Sequence, residues 1–163
     1  MHFKLWVSTN DTANWIINNT VLKNKKCVTE KLVESDANNP KTFHRVPEAI
    51  KKILYLDAVD IIIEYNKKPI LAVEISSEAG TGHNAFQRFA RLVAAAENNV
   101  SVAYIYPEAA YIHRKNFDRW DEINPLVFRA LERVMQIHNI PVLFYYYPTE
   151  YNYIVIMVMF INY

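Results

Sequence analysis

At 163 residues, 52% of them hydrophobic and 21% charged, the chain has the composition of a globular protein and enough length for one domain with a real core. A formal net charge of +1 excludes a global basic field, so any nucleic-acid surface has to be local. Cys27 is the single cysteine, which excludes an intrachain disulfide and a thiolate zinc cluster and favours a reducing, cytoplasmic setting. The opening MHFKLWVSTND lacks the apolar stretch of a signal peptide.

In chain order, residues 10–23 (NDTANWIINNTVLK) are expected to form a first helix capped by Asn10 or Asp11. Residues 24–46, polar and carrying Asn38, Asn39 and Pro40, read as a loop. Pro47 and Glu48 suit the first turn of a short helix, PEAIKKIL, followed by a β-hairpin over residues 58–76. After Gly80 and Gly82, NAFQRFARLVAAAEN has helical periodicity, with Phe86, Phe89, Ala90, Val93 and Ala94 on the apolar face. Its other side carries Asn84, Gln87, Arg88 and Arg91. VSVAYIYP reads as a strand and HRKNFDRW (113–120) lies in a polar segment. A second helix, PLVFRALERVMQIHN, starts at Pro125, and IPVLFYYYP is another strand. The apolar run YIVIMVMFI spans only nine residues, too short to cross a membrane as a helix; it reads as a buried strand. Ending just after such a run is also what a shortened version of a longer protein would show. The order helix, hairpin, helix, strand, helix, strand predicts an α/β fold, a mixed β-sheet flanked by helices.

The most informative stretch is DIIIEYNKKPILAVEISSEAGTG, residues 60–82. A turn near Lys67 sets an antiparallel register in which paired residue numbers sum to about 134, placing Asp60 opposite Glu74. Directly opposed residues share a face with Cβ atoms roughly 5 Å apart. Two carboxylates at that spacing repel unless a cation sits between them. Ala58, Ile62, Ala72 and Ser76 fall on the acidic face. Val59, Ile61, Ile63, Tyr65, Leu71, Val73 and Ile75 make the other, apolar face, which is expected to be core.

An acid at the start of one strand, a hairpin, then E-x-(K or a substitute) and a helix resembles the PD-(D/E)xK nuclease superfamily of restriction and repair enzymes. Asp60 in DAVDIII and Glu74 and Ser76 in AVEIS are the matching residues, and Gln87 and Arg91 in FQRFAR resemble the polar helical motif of several branches. The resemblance covers roughly residues 45–147 and implies a restriction-endonuclease-like core. Residues 1–46 would then be an N-terminal helical and loop segment and residues 47–163 the nuclease-like core of a single overall domain.

The implied activity is a DNA endonuclease of restriction type that uses Mg²⁺, with Mn²⁺ able to substitute, and works as a homodimer off the membrane. Asp60, Glu74, Ser76 and Gln87 would carry catalysis. The carboxylates of Asp60 and Glu74 and the backbone carbonyl of Ile75 would hold the metal. Where the family most often has lysine, this chain has Ser76. Arg88 or Arg91 is a replacement for its charge, because Lys67 and Lys68 lie ~20 Å down the hairpin. Glu48 matches an additional acid of many members, and Glu78 is a further metal ligand to consider. Gly82, His83, Asn84 and Arg91, with Arg114 and Lys115 of the basic-aromatic cluster, would contact phosphate or DNA.

Other readings of the same residues remain. Gly80 and Gly82 serve equally as a strand-to-helix turn or a phosphate cradle, and HRKNFDRW serves equally as a DNA contact or a solvated loop. The chain could be a catalytically inactive nuclease-like DNA-binding subunit or a phosphate- or nucleotide-binding α/β protein.

Overall fold

The computed structural model describes residues 2–32, 46–76, 83–107, 109–114, 117–122 and 124–147. Its sheet begins with β1 (Phe3–Val7), where Phe3, Leu5 and Val7 alternate with Lys4 and Trp6. Thr9 then accepts a hydrogen bond from the Thr12 amide and starts α1 (Asn10–Asn19). A 3₁₀ turn at Val21–Asn24, capped in the same way by Thr20, leads to β2 (Cys27–Lys31). Next come α2 (Glu48–Ile53), the hairpin β3 (Ile61–Tyr65) and β4 (Lys68–Ile75), and α3 (His83–Glu97). Strands β5 (Ser101–Pro107), β6 (Ala109–Arg114) and β7 (Phe117–Glu122) precede α4 (Pro125–His138) and β8 (Val142–Tyr147). Helix α4 is bounded by Asn124 as cap, Pro125 at its first turn and Asn139 in the left-handed conformation at its end.

Six strands form one mixed sheet in the order β2-β1-β3-β4-β5-β8. Strand β1 runs antiparallel to β3 and parallel to β2, and β4, β5 and β8 are mutually parallel. The expectation of a mixed sheet flanked by helices is met. On one face Ile50, Ile53, Ile62, Ala72, Leu92 and Leu131 bring α2, α3 and α4 onto the sheet. On the other, Leu5, Val7, Ile61 and Val73 pack against Ala13 and Ile16 of α1. Among the described residues this second face also carries, beside α1, an apolar groove of about 380 Å³ lined by Leu71, Val73, Ala103, Ile105, Leu143 and Tyr145 among others.

Several expectations are corrected. Residues 27–31 are a strand, not loop, and β1, which helical periodicity could not reveal, sits between β2 and β3. The N-terminal segment is therefore part of the central sheet. The first helix stops at Asn19 and is capped by Thr9, one residue before Asn10. The polar segment after β5 contains a two-stranded antiparallel ribbon, β6–β7, rather than a loop. Val59 lies in the core beneath the helices, on the side assigned to the acids, because it precedes β3 and escapes the strand's alternation.

Helix α3 is also rotated from the expected face. Of the residues expected on its apolar face Ala94 is fully buried and Phe89 packs against the core, but Phe86 is 76% exposed, and Leu92, Ala95 and Ala96 are fully buried instead. Arg88, Arg91, Leu92 and Ala95 stand at i, i+3, i+4 and i+7, so the two arginines share the stripe that faces the sheet. The reason lies beneath them, in buried carboxylates. Residues 148–163, with the apolar run read as a strand and a dimer surface, lie outside the described residues.

Candidate active site

The hairpin turn is a two-residue loop, Asn66-Lys67, with φ of 48° and 67°, as a type I′ turn requires. A bulge between Ile63 and Glu64 then shifts the pairing, after which Ile63 faces Leu71, Ile62 faces Ala72 and Ile61 faces Val73. The register expected from the sequence holds at the end that matters and brings Asp60 alongside Glu74. There the main-chain ladder is continued by a side chain, for Asp60 Oδ2 accepts the Ile75 amide at 2.7 Å. The same Asp60 carbonyl accepts the Ser8 amide at 2.9 Å, tying β1 to this end. Ser76, fully buried, donates its amide to Ile105 O at 2.7 Å and keeps β4 on β5.

Glu74 is only 1% exposed. Its Oε1 accepts Arg91 Nη1 at 2.7 Å and lies 3.6 Å from Arg88 Nε. Its Oε2 and Arg88 Nη1 are buried and hydrogen-bonded to nothing among the described residues. Burial and the Asp60 charge push the Glu74 carboxyl up to about 8 despite both arginines. Asp60 is likewise raised by burial, against the pull of the Ile75 amide and the arginines. Such a site is short of positive charge. Tyr104, opposite Glu74 on β5, completes the floor, and burial pushes its phenol above the ordinary value against the Arg88 charge.

A third acid, unforeseen in the sequence, joins the cluster. Asp57 Oδ2 accepts Arg91 Nη2 at 2.7 Å, Arg91 Nε at 2.9 Å and Gln87 Nε2 at 2.8 Å, and Oδ1 accepts the Ala58 amide at 2.8 Å. Burial would raise Asp57, but the bonds from Arg91 and Ala58 outweigh it and hold the carboxyl below its usual value. Arg91 is raised in turn, Glu74 and Asp57 outweighing its own burial. Asp57 lies in the irregular stretch before β3, where no periodicity applies. The available signal was the repeated acid in DAVD.

Asp60, Glu74, Ile75, Ser76, Arg88 and Arg91 are thus brought together, with Gln87 at the rim through Asp57. Glu48 is not among them: its side chain is 73% exposed and pairs with Lys51 at 3.8 Å. Glu78, Gly80, Gly82 and Lys115 lie outside the described residues, as do the side chains of His83, Asn84 and Arg114. Among the described residues no group of three or more His, Cys, Asp or Glu side chains converges as a metal site, and no helix is long and apolar enough to cross a membrane. No family model, curated protein or solved structure matches the chain.

Proposed function

We propose that the protein is a metal-dependent phosphodiester hydrolase with a restriction-endonuclease-like core, acting on DNA as a homodimer in the cytoplasm. One observation carries this reading. Glu74, almost wholly buried beside a second carboxylate, keeps one oxygen that nothing among the described residues bonds. A buried carboxyl in that condition holds a proton at neutral pH and gives it up where a cation takes its place, which is the behaviour of a cation ligand.

Magnesium fits the donor set. It takes hard oxygens, keeps several waters and is commonly held by one or two carboxylates together with substrate phosphate, so Asp60, Glu74 and the Ile75 carbonyl would be the residues that hold it. When bound, the ion would acidify a water and stabilise charge on the phosphate. The chain's own residues supply the rest. Asp60 is steered by the Ile75 amide, and Arg88 and Arg91 bring to the site the positive charge that Ser76 lacks. The site sits at the carboxyl ends of β4 and β5, where open α/β sheets place their ligands. One such site cuts one strand, so two copies account for a double-strand break.

Nicking of supercoiled plasmid with Mg²⁺ or Mn²⁺ tests the proposal. Wild type is expected to nick and Glu74→Ala to fall to background. Equal nicking by both proteins, or none by wild type, removes the assignment. The second reading, a non-catalytic nuclease-like DNA-binding subunit, is favoured by Arg91 already compensating one oxygen of Glu74. It expects DNA binding with no calorimetric uptake of Mg²⁺.

A further inference from the structure

We infer that Asp57 is a positioning residue, a clamp that keeps Arg91 in the site while Glu74 exchanges its arginine for a divalent cation. The inference rests on the metal-dependent hydrolase proposed above and adds the device that makes an arginine compatible with it.

The bonds of Arg91 are divided unequally. Nε and Nη2 both go to Asp57 Oδ2, at 2.9 and 2.7 Å, whereas Glu74 receives Nη1 alone, at 2.7 Å. Gln87 Nε2 joins the same Asp57 oxygen at 2.8 Å, and the Ala58 amide fixes the other at 2.8 Å. Asp57 is therefore anchored to its own backbone and to α3 independently of Glu74. Glu74, by contrast, faces Asp60 and has a buried oxygen that is bonded to nothing among the described residues.

Asp60 and Glu74 would hold the dication, whose charge would replace that of the guanidinium at Glu74 and repel it. Without another anion Arg91 would either block the dication or leave the site. With Asp57 it gives up one bond and keeps two. The released Nη1 remains beside the metal carboxylate, free to donate to a phosphate oxygen, and supplies the fixed positive charge for which Ser76 has no equivalent. A bidentate grip is what a lysine could not offer, which accounts for an arginine at position 91.

Calorimetric Mg²⁺ titrations of the full chain as wild type, Asp57→Asn, Arg91→Ala and the double variant test the clamp. Asp57→Asn is expected to weaken Mg²⁺ binding about tenfold, because Arg91 then settles on Glu74, and Arg91→Ala to tighten it. The double variant should bind like Arg91→Ala, since the clamp matters only through its arginine. Arg91→Gln replaces Arg91→Ala in the cycle if thermal melts show that the alanine variant folds poorly. If Asp57→Asn weakens binding equally with and without Arg91, Asp57 acts as a bulk charge and the clamp alone is overturned. An unchanged affinity in Asp57→Asn overturns it as well. Failure of all four proteins to bind Mg²⁺ overturns the hydrolase and the clamp together.

Discussion

Glu64 and Glu74 come from the two strands of one hairpin, share one face of the sheet and are 8% and 1% exposed. Glu64 has a neutral partner, the Trp6 indole, whose Nε1 donates to Oε2 at 3.1 Å. Glu74 has two arginines and a second carboxylate around it, and still one oxygen without a bond among the described residues. Burial alone therefore does not mark a functional acid. What separates the two is the company each keeps: Glu64 joins β1 to the hairpin through its indole, while Glu74 sits among two further carboxylates and two arginines, a cluster balanced only by a proton on Glu74 or by a further cation.

The largest expected difference between them is in cleavage. Glu74→Ala should abolish Mg²⁺-dependent nicking, and Glu64→Gln, which still offers an oxygen to Trp6, should leave it within about twofold. A comparable loss in both would make the distinction meaningless. The next largest effect is in the pH dependence of stability. Glu74 is held at about 8 in the folded protein against an ordinary value of 4.5. Between those values the folded chain binds a proton that the unfolded chain releases, so stability falls as pH rises through this window and levels off above it. Asp60, also raised, acts in the same direction, whereas Asp57, lowered, acts oppositely and only in more acid solution. Urea titrations without divalent cation should lose on the order of a few kcal/mol between pH 4.5 and 8. In Glu74→Gln most of that slope should vanish; a slope unchanged would place the proton elsewhere. Smaller again is Glu64→Ala, which orphans a buried indole N–H and should cost about 1–3 kcal/mol in the same titration. A neutral result would mean that water reaches Trp6.

The opposition of Asp60 and Glu74 follows from a register total of 134, which was expected from a turn centred near Lys67, although the two-residue turn Asn66-Lys67 by itself sets a total of 133. The bulge between Ile63 and Glu64 supplies the missing residue and shifts the total to the expected 134 at the end that carries the acids. Asp57 was not legible, for it stands outside any repeat and meets Arg91 across 34 residues of chain. The arginines of α3 were expected opposite its apolar stripe and, from the resemblance, as a replacement for the missing lysine charge; they stand on the sheet-facing side, beside Glu74. A charge counts as solvent-facing in a helical pattern, and nothing local announces that an acid waits under it. Strands β1 and β2 show the same limit: FKLWV and CVTEK are short alternations, and only their pairing with β3 and each other makes them strands.

The two ends of the hairpin differ in what they tolerate, and the smallest predicted effect follows from that. The open end carries the cluster of carboxylates and arginines; the turn carries only register. Asn66 and Lys67 both adopt positive φ, where a Cβ crowds the backbone; asparagine offsets that cost with its short polar side chain and lysine has no such compensation. Lys67 is exposed, and its charge lies far from the acids. Lys67→Gly relieves the crowding but frees the unfolded chain, so the net gain should be small, about 0.5–1 kcal/mol in urea titrations. Cleavage should not change. Faster or slower cleavage in that variant would mean that the turn tunes the register of Glu74 against Asp60 despite the bulge between them, and the separation of a structural end from a catalytic one would have to be given up.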